Sequence, residues 1–441
     1  MLTRALKDVN EKCETIPDPV QLEYHLPNEL NLSVDKSYSN FINKLSEKFP
    51  HEKEGIIKFY GACRKVFNCL DSMPLLSIED PTYLFKVFLK SPLSCLGLAR
   101  WLPINVGDVA KRFIKDPELL KFIDIECFCW SVMPALKTPM INAGMVFTDR
   151  HVGGINYPKG GVGTIAEKLV KGLEKLGSKI RYKANVKEIL IEDNNAIGVK
   201  LSNGEELFAK TIISNSTRWD TFGLNDEKKG LVDKEFVSRK EHNWKNNYKP
   251  SPSFVSIHIG VDKKIINPNF NCHHIIVENW DKLEDEKGVI FISIPTLLDK
   301  NLAPEGKHIV HAFTPSSINE WENLTRKEYL LKKENYFNFI IKKISKIIPE
   351  IKDSIDHKEI GTPKTHKKFL GRFEGSYGPI PKKKLLGLLP MPFNTTSIKN
   401  LYCVGDSCFP GQGLNAVAFS GYACAHKIGS KLKINSPKLP D

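Results

Sequence analysis

A carboxylate and two glycines near the end of the chain have the spacing of a ligand-binding turn. Residues 401–404 are a short apolar run that predicts a buried strand, and Asp406 follows at its carboxyl end. Gly411 and Gly413 then precede a helix of small residues, expected at about 414–432. Helix-start N–H groups carry about half a positive charge, and glycines let a ligand approach them. The pattern suits a sugar-phosphate ligand, although a strand, an Asx turn and a core helix would have the same sequence.

A second glycine pattern lies in the middle of the chain. Residues 161–166 fit the dinucleotide spacing GxGxxG/A and open a helix that we expect to run to Leu176. A nucleotide loop normally follows a buried parallel strand, whereas residues 155–158 are polar and end in proline. Residues 411–416 fit the same expression, so the expression alone does not favour a nucleotide site at 161–166.

Several long strings resemble one protein family. The segment 401–413, Leu-Tyr-Cys-Val-Gly-Asp-Ser-Cys-Phe-Pro-Gly-Gln-Gly, resembles the C-terminal flavin-binding segment of plant and cyanobacterial carotenoid (prolycopene) isomerases. These are relatives of the bacterial-type phytoene desaturases. The resemblance continues through residues 149–163, 211–222 and 390–396 and covers nearly the whole chain. Because unusual strings match in the same order, the chain is identified as a member of this family.

The resemblance implies FAD as the cofactor, in its reduced form for activity. Residues of the C-terminal segment match those that contact the ribityl–flavin half: Gly405, Asp406, Gly411, Gly413 and Ala416. Val186 resembles the residue whose backbone meets the adenine ring, although the sequence alone favours an ordinary strand valine there. The family begins with a strand, a glycine loop and a helix that hold the ADP half, and this sequence starts after that unit. We therefore expect an N-terminal truncation or a gene model begun at an internal methionine.

The expected fold is a mixed α/β (α+β) one. It is the Rossmann-like FAD/NAD(P)-binding flavoprotein fold without its first βαβ unit, together with a substrate domain of antiparallel sheet and helices. The expected divisions are a substrate and helical region at 1–150, a nucleotide-binding segment of helix and β-meander at 151–222, a substrate domain at 223–380, and a C-terminal FAD-binding segment at 381–435.

Hydrophobic periodicity predicts the secondary structure in these divisions. A helical pattern runs from residue 38 to about 130, another helix is expected at 326–347, and 371–379 is interpreted as a loop beside a cavity. The highly charged segment 226–249 predicts a mobile loop. Strands are expected at 21–26, 31–34, 179–182, 186–192, 196–201, 208–214, 254–259, 273–277, 289–294 and 308–313. The last four predict a mostly antiparallel sheet.

Composition narrows the classes of partner. The net charge of +13 comes mostly from lysines spread along the chain, so nucleic-acid binding is the weakest hypothesis and attraction to an anionic membrane surface explains the charge as well. Ten cysteines without a CxxC pair predict free thiols. His273 and His274 are adjacent and would face opposite sides of a strand, so no metal site is expected.

The apolar stretch 83–103 has two interpretations. No run of about 18 uncharged apolar residues predicts a membrane-spanning helix. Core helices are the first interpretation of 83–103, and a membrane-dipping entrance with Arg100 and Trp101 at headgroup level is the second. The resemblance implies a plastid or cyanobacterial protein at a membrane periphery.

The leading functional hypothesis is flavin-dependent isomerisation of poly-cis carotenes such as prolycopene, an activity that the expected truncation would impair in this chain. Rotation about a polyene double bond requires a transient loss of bond order, which a reduced flavin can cause by donating an electron or a proton while the protein supplies a long apolar slot. No catalytic residue is assigned, although Glu374, Arg150 and His151 lie in strings that match family loops. The alternatives are a carotene desaturase, a polyene saturase, or a chain that binds lipid or a partner without catalysis.

Overall fold

The computed structural model describes residues 1–73, 76, 78–223, 229–382 and 391–434. Pro390 of the family string 390–396, and residue 435 at the end of the expected C-terminal segment, lie outside these ranges. The α-helices are α1 (Leu2–Asp8), α2 (Tyr38–Lys48), α3 (Lys53–Asp71), α4 (Pro81–Lys90), α5 (Pro92–Ala99), α6 (Val106–Phe113), α7 (Pro117–Ser131), α8 (Met140–Val152), α9 (Gly163–Lys175), α10 (Arg218–Phe222), α11 (Arg239–Asn247), α12 (Arg326–Ile344), α13 (Pro363–Leu370) and α14 (Leu414–Lys431).

Within the described ranges the strands form five sheets, one of seven strands, one of three and three of two. They are β1 (Thr15–Asp18), β2 (Val20–His25), β3 (Asn31–Asp35), β4 (Ile155–Pro158), β5 (Val186–Glu192), β6 (Asn195–Leu201), β7 (Glu206–Phe208), β8 (Ile212–Ser214), β9 (Tyr248–Pro250), β10 (Ser253–Asp262), β11 (His273–Val277), β12 (Val289–Ser293), β13 (Lys307–Ser316), β14 (Ile355–Gly361), β15 (Pro379–Pro381) and β16 (Leu401–Cys403).

A seven-stranded sheet forms the centre of the molecule, in the order β14-β10-β13-β12-β11-β2-β3. The pairs within 253–361 are antiparallel, as expected, and β2 joins β11 in parallel. The predicted hairpin of β2 and β3 therefore becomes the edge of this sheet. Alternate residues such as Ile257, Ile292 and Val310 pack against Ile340 of α12 in one apolar core. The opposite face is covered by the helical core at β11 and β12, and its β10 and β13 part remains available to line a site.

The helices of the first part of the chain form a second core. Phe59 of α3 and Phe122 of α7 are fully buried there, and Val66 of α3 packs against Gly144 of α8, where a Cβ would approach Val66 to 2.5 Å. The core also takes Ile275 and Val277 from β11. The helical region and the central sheet are thus packed as one body of apolar side chains.

The nucleotide-binding part contains two small sheets. β5, β6 and β7 form the predicted antiparallel meander. β8 pairs in parallel with β16, with Ile212 opposite Leu401. Among the described residues, parallel pairing is confined to this pair, the β2–β11 pair and a bridge between Asn195 and Lys399.

Three sequence predictions about local structure are wrong. Residues 179–182 form no strand, since Tyr182 is 74% exposed and the segment pairs with no strand of the described chain. In the expected mobile loop 226–249, residues 226–228 lie outside the described ranges, but the later part forms α11, which buries Trp244 against Trp219. The predicted strand 208–214 is divided between the end of β7 and β8, because its middle residues follow a bend between two different sheets.

The stretch 83–103 is a core element only in part, since Tyr83, Val87, Leu98 and Trp101 pack in the helical core while its other large apolar residues are exposed. Leu93 is 83% exposed and Leu89 is 64% exposed, because α4 and α5 turn only one narrow face toward the core. Trp101 is buried rather than placed at a surface, and the guanidinium of Arg100 lies over its ring at 4.6 Å. Among the described helices, none is both long and apolar enough to cross a membrane.

Candidate functional site

The turn after β16 lies against the end of β8. Gly405 has a φ of +96°, and a Cβ at this position would approach Oδ1 of Asn215 to 2.5 Å. The N–H of Val404 donates to the carbonyl of Ser214 at 2.9 Å, which holds the two strand ends together. Only glycine allows both the positive φ and this close approach. The turn is therefore fixed at the carboxyl ends of two parallel strands, where α/β folds bind ligands.

A buried amide and a buried hydroxyl support this turn from behind. Nδ2 of Asn394 donates to the carbonyl of Cys403 at 2.8 Å and to Oγ of Ser420 at 3.1 Å. Oγ of Ser420 in turn accepts from the N–H of Gly405 at 3.2 Å. Since both side chains are buried, these bonds tie the turn to α14 in one rigid unit.

The start of α14 is open. Gly413 has a φ of +100° and makes no side-chain cap, and a Cβ built there would meet nothing within 4 Å. Leu414, the first helical residue, is 51% exposed, and Ala416 is half-buried in the same turn. A ligand can therefore reach the first backbone N–H groups of this helix. Gly411, with a φ of +117°, directs the chain into this start.

Asp406 is held by an arginine from another part of the chain. Nη2 of Arg372 donates to Oδ2 of Asp406, and Nε of Arg372 donates to the carbonyl of Ser376 at 2.7 Å. Arg372 follows α13 in the loop 371–379, which the sequence predicts to lie beside a cavity. The sequence analysis missed Arg372, because only the fold brings this loop to Asp406. The one feature of the sequence that could have indicated Arg372 is its position in a basic segment that contains glycines.

Val186 lies elsewhere, at the start of β5, where it pairs with Leu201. No hydrogen bond of the described residues joins it to the Asp406 turn. The meander is instead linked to the chain before β16 by the N–H of Ala196, which donates to the carbonyl of Lys399 at 2.9 Å. The structure thus brings five of the six expected cofactor residues into one turn, and its backbone contacts leave Val186 on a neighbouring sheet.

A series of aromatic rings crosses the face of the central sheet that is opposite α12. Tyr377, in the loop with Arg372, lies 6.1 Å from Phe254, and Phe254 lies 5.1 Å from Phe313 between ring centroids. Phe313 stacks on Phe291 at 4.7 Å. The three phenylalanines are half-buried, so their ring faces form a continuous apolar surface that leads away from Asp406. We call these four residues the aromatic row.

A polar row runs beside the aromatic row. Register places His258 opposite His311, His311 opposite Ser293, and Ser293 opposite His273. The rings of His258 and His311 stack at 4.3 Å. Burial lowers the pKa of His311 to about 4, and the neighbouring His258 adds to the effect, so His311 is neutral at physiological pH.

Comparison with known proteins identifies the family. No protein-family model matches the chain. It is 56% identical over 436 residues to prolycopene isomerase 1 of an Oncidium hybrid cultivar, covering 98% of this chain and 73% of the relative. It is 54% identical over 434 residues to the prolycopene isomerase of Daucus carota, covering 98% and 70%. The chain belongs to the prolycopene isomerase family.

Solved structures share the fold of this member of the prolycopene isomerase family. An oxidoreductase from Methanosarcina mazei covers 95% of the chain with a TM-score of 0.62 at 16% identity, and the match covers 83% of that structure. A putrescine oxidase covers 98% of the chain with a TM-score of 0.59 at 11% identity, over 85% of its own length. The chain therefore has the mixed α/β fold of these oxidoreductases, in agreement with the α/β class that the sequence predicted.

The three ionisable residues noted in family strings have different surroundings. Arg150 and His151 lie in the last turn of α8 and not in a loop, which corrects the expectation. Nη1 of Arg150 donates to Oε1 of the buried Glu126 at 2.6 Å, so Arg150 is part of a core ion pair. Glu374 does lie in the loop 371–379, with a φ of +53°, and burial raises its pKa.

Proposed function

We propose that this chain isomerises poly-cis carotenes, converting prolycopene to all-trans-lycopene, with FAD held at the Asp406 turn. The proposal rests on how Asp406, the start of α14 and the aromatic row are arranged. The carboxylate of Asp406, fixed by Arg372, stands before an open helix start, and the aromatic row begins in the same loop as Arg372. A polar cofactor end and an apolar substrate surface therefore meet at this loop.

The residues of the turn fit a flavin cofactor. One oxygen of Asp406 is bound to Arg372, and a carboxylate in this position accepts hydrogen bonds from ribityl hydroxyls. The first N–H groups of α14 suit a carbonyl or anionic oxygen. Oγ of Ser407 is buried without a protein partner, which leaves a polar atom for a ligand to satisfy. A bound reduced flavin would supply the electron or proton that lowers polyene bond order.

The protein's own contribution on the substrate side is position and exclusion of water. The rings of Phe254, Phe313 and Phe291 offer stacking faces along a flat conjugated chain. His311 is beside Phe313, with ring centroids 5.7 Å apart, and stays neutral, so it places no charge against the hydrocarbon. No step in this scheme requires a side-chain nucleophile.

The alternative activities share this fold. The chain is 24% identical over 404 residues to the all-trans-retinol 13,14-reductase of Danio rerio, which is named for the reduction of a polyene. A saturase or a desaturase would change the number of hydrogens in the product, whereas an isomerase would not. The higher identity to the prolycopene isomerases favours isomerisation.

The cofactor assignment is tested by measuring flavin per chain. The protein, with any coding sequence that precedes Met1, is purified as wild type, Asp406→Asn and Asp281→Asn. Asp281 is an exposed carboxylate and serves as the matched control. We expect Asp406→Asn to lower bound flavin at least about tenfold, because a charge-assisted hydrogen bond is lost. Flavin content equal to that of the control would overturn the assignment.

We also propose that α4 and α5 bind the surface of a plastid membrane. The relatives are named chloroplastic. Leu93, Leu89, Phe85 and Leu96 are each more than 60% exposed on these two helices, and the net charge of +13 favours anionic lipid. This surface would admit an apolar substrate from the bilayer.

Liposome flotation tests the membrane proposal. Wild type should float with anionic vesicles at low salt and less at high salt. The double variant Leu93→Ser and Leu96→Ser should stay at the bottom of the gradient. The control Leu330→Ser and Leu331→Ser changes two exposed leucines on α12 and should float like wild type. Equal flotation of the two double variants would show that α4 and α5 do not form the membrane-binding surface.

A further inference from the structure

Three metal-ligand atoms converge at a place that the carotene chemistry does not use. They belong to Asp18 at the end of β1, Cys272 just before β11, and His273, the first residue of β11. One carboxylate oxygen, the thiol sulfur and one ring nitrogen all lie within 4.8 Å of one another. We propose that Asp18, Cys272 and His273 bind a zinc ion that fastens the β1–β4 ribbon to the central sheet.

The separation between the carboxylate of Asp18 and the ring of His273 suits tetrahedral zinc. Bonds of about 2.0–2.3 Å from zinc to oxygen, nitrogen and sulfur place neighbouring ligand atoms roughly 3.3–3.8 Å apart. Oδ2 of Asp18 and Nε2 of His273 are 3.7 Å apart. This is too long for a good hydrogen bond and close to the edge of a zinc tetrahedron.

The carboxylate of Asp18 lacks a partner for one oxygen. Asp18 is 2% exposed; its Oδ1 accepts from the N–H of Val20 at 3.3 Å, and its Oδ2 is buried without any hydrogen bond. A buried carboxylate oxygen with no donor is costly unless a cation or a proton meets it. Since Oδ2 is the atom nearest Nε2 of His273, a cation between these two groups would satisfy it.

The other nitrogen of His273 has the partner that a metal ligand needs. Nδ1 lies 2.8 Å from Oγ of Ser293 on the neighbouring strand. When Nδ1 donates there, Nε2 presents its lone pair toward Asp18, and such an outer hydrogen bond orients histidine ligands of metals. A water molecule would complete the four ligands of the zinc ion.

The sequence analysis expected no metal because it considered His273 only with His274. His274 does face the other way and bonds the carbonyl of Asn271 at 2.9 Å. The additional ligands are Cys272, its chain neighbour, and Asp18, which is remote in sequence. No spacing in the sequence predicts these three ligands together, because only the fold brings β1 to the start of β11.

The test is metal content and cobalt spectroscopy of the purified full chain. Wild type should contain about one zinc per chain, and the chelated protein reloaded with Co²⁺ should show the near-ultraviolet absorption of a thiolate–cobalt bond. Cys272→Ser should abolish that absorption, and Asp18→Asn should weaken cobalt binding. Ser293→Ala should weaken it by about tenfold, as expected for the outer partner of a histidine ligand.

Two control variants change the same residue types elsewhere. Cys127→Ser alters a fully buried thiol and His357→Gln an exposed imidazole, and both should bind cobalt like wild type. Zinc should also raise the Tm of wild type but not of Cys272→Ser. The proposal is wrong if chelated wild type takes up no Co²⁺ or Zn²⁺ at micromolar concentration, or if Cys272→Ser retains the thiolate absorption.

Discussion

Helices α3 and α14 are almost equal in length, with 19 and 18 residues, but they are buried very differently. α3 buries eight residues in the helical core, among them Phe59 and Val66. α14 buries Ser420, Ala423 and Cys424. Helix α3 is held in place by the burial of large apolar side chains, whereas α14 exposes its N-terminal turn and consists mainly of small residues.

The difference follows from what each helix does. Burial of large apolar groups is worth roughly 25 cal/mol per Å², so α3 stabilises the helical region directly. α14 gains little of this energy and instead keeps its N-terminal turn accessible, with the turn fixed by Asn394 and Ser420. We infer that the helical region owes its stability to packing and the C-terminal turn and helix (401–431) owe part of theirs to a bound ligand.

The largest expected effect comes from the packed side of this comparison. Phe59→Ala should lower the free energy of unfolding by about 3–5 kcal/mol, because it opens a cavity in a core where Phe59 is 0% exposed. Leu432→Ala, at a 51% exposed position after α14, should change it by less than about 0.5 kcal/mol. Chemical denaturation measures both. Similar values for the two variants would contradict the contrast in packing.

Local stability should depend on the bound ligand in the C-terminal turn and helix (401–431) and not in the helical region. FAD at about 100 times its Kd should stabilise the states that bind it by about 2.7 kcal/mol. Hydrogen exchange that occurs by local opening should therefore slow in the first turns of α14 when FAD is added, while exchange by local opening in α3 stays as before. Equal slowing in both helices, or none in α14, would break the comparison.

Acid should weaken the sheet that carries the histidines. The pKa of His311 is lowered to about 4 in the folded chain, against about 6.5 when unfolded, so the unfolded chain binds more protons between these values. Stability therefore falls as pH drops from 6.5 to 4, by roughly 1–2 kcal/mol after screening. His311→Phe should remove this part of the loss. Asp18 has a raised pKa of about 6, which increases stability as the pH falls. It is present in both wild type and His311→Phe, so it does not affect the difference between them.

The addition of a single methyl group tests the helix start itself. Gly413→Ala places a side chain where φ is +100° and should cost about 1–3 kcal/mol locally while lowering flavin content. Gly429→Ala, on the same helix with no atom within 4 Å of the added Cβ, should be neutral or stabilising by up to about 1 kcal/mol. Flavin titration and thermal melts measure the two. A Gly413→Ala protein that binds flavin normally would place the ligand elsewhere.

Local sequence patterns predicted much of this architecture. The apolar run before Asp406 became β16, the meander and the antiparallel sheet formed at the expected residues, and α14 begins directly after Gly413. Patterns failed where tertiary partners decide. Residues 179–182 alternate like a strand but pair with no described strand, and α5 is apolar yet exposed. Arg372 and Asp18 were missed because their partners are distant in sequence.

The account's central claim is that the Asp406 turn and the aromatic row together isomerise a carotene without changing its hydrogen content. The direct measurement is anaerobic incubation of prolycopene with the FAD-loaded protein, including any coding sequence before Met1, under reducing conditions, followed by chromatography and mass spectrometry. The account predicts all-trans-lycopene of unchanged mass, with turnover reduced in Phe313→Ala. A product that has gained or lost hydrogen, or no conversion by protein carrying stoichiometric flavin, would contradict it.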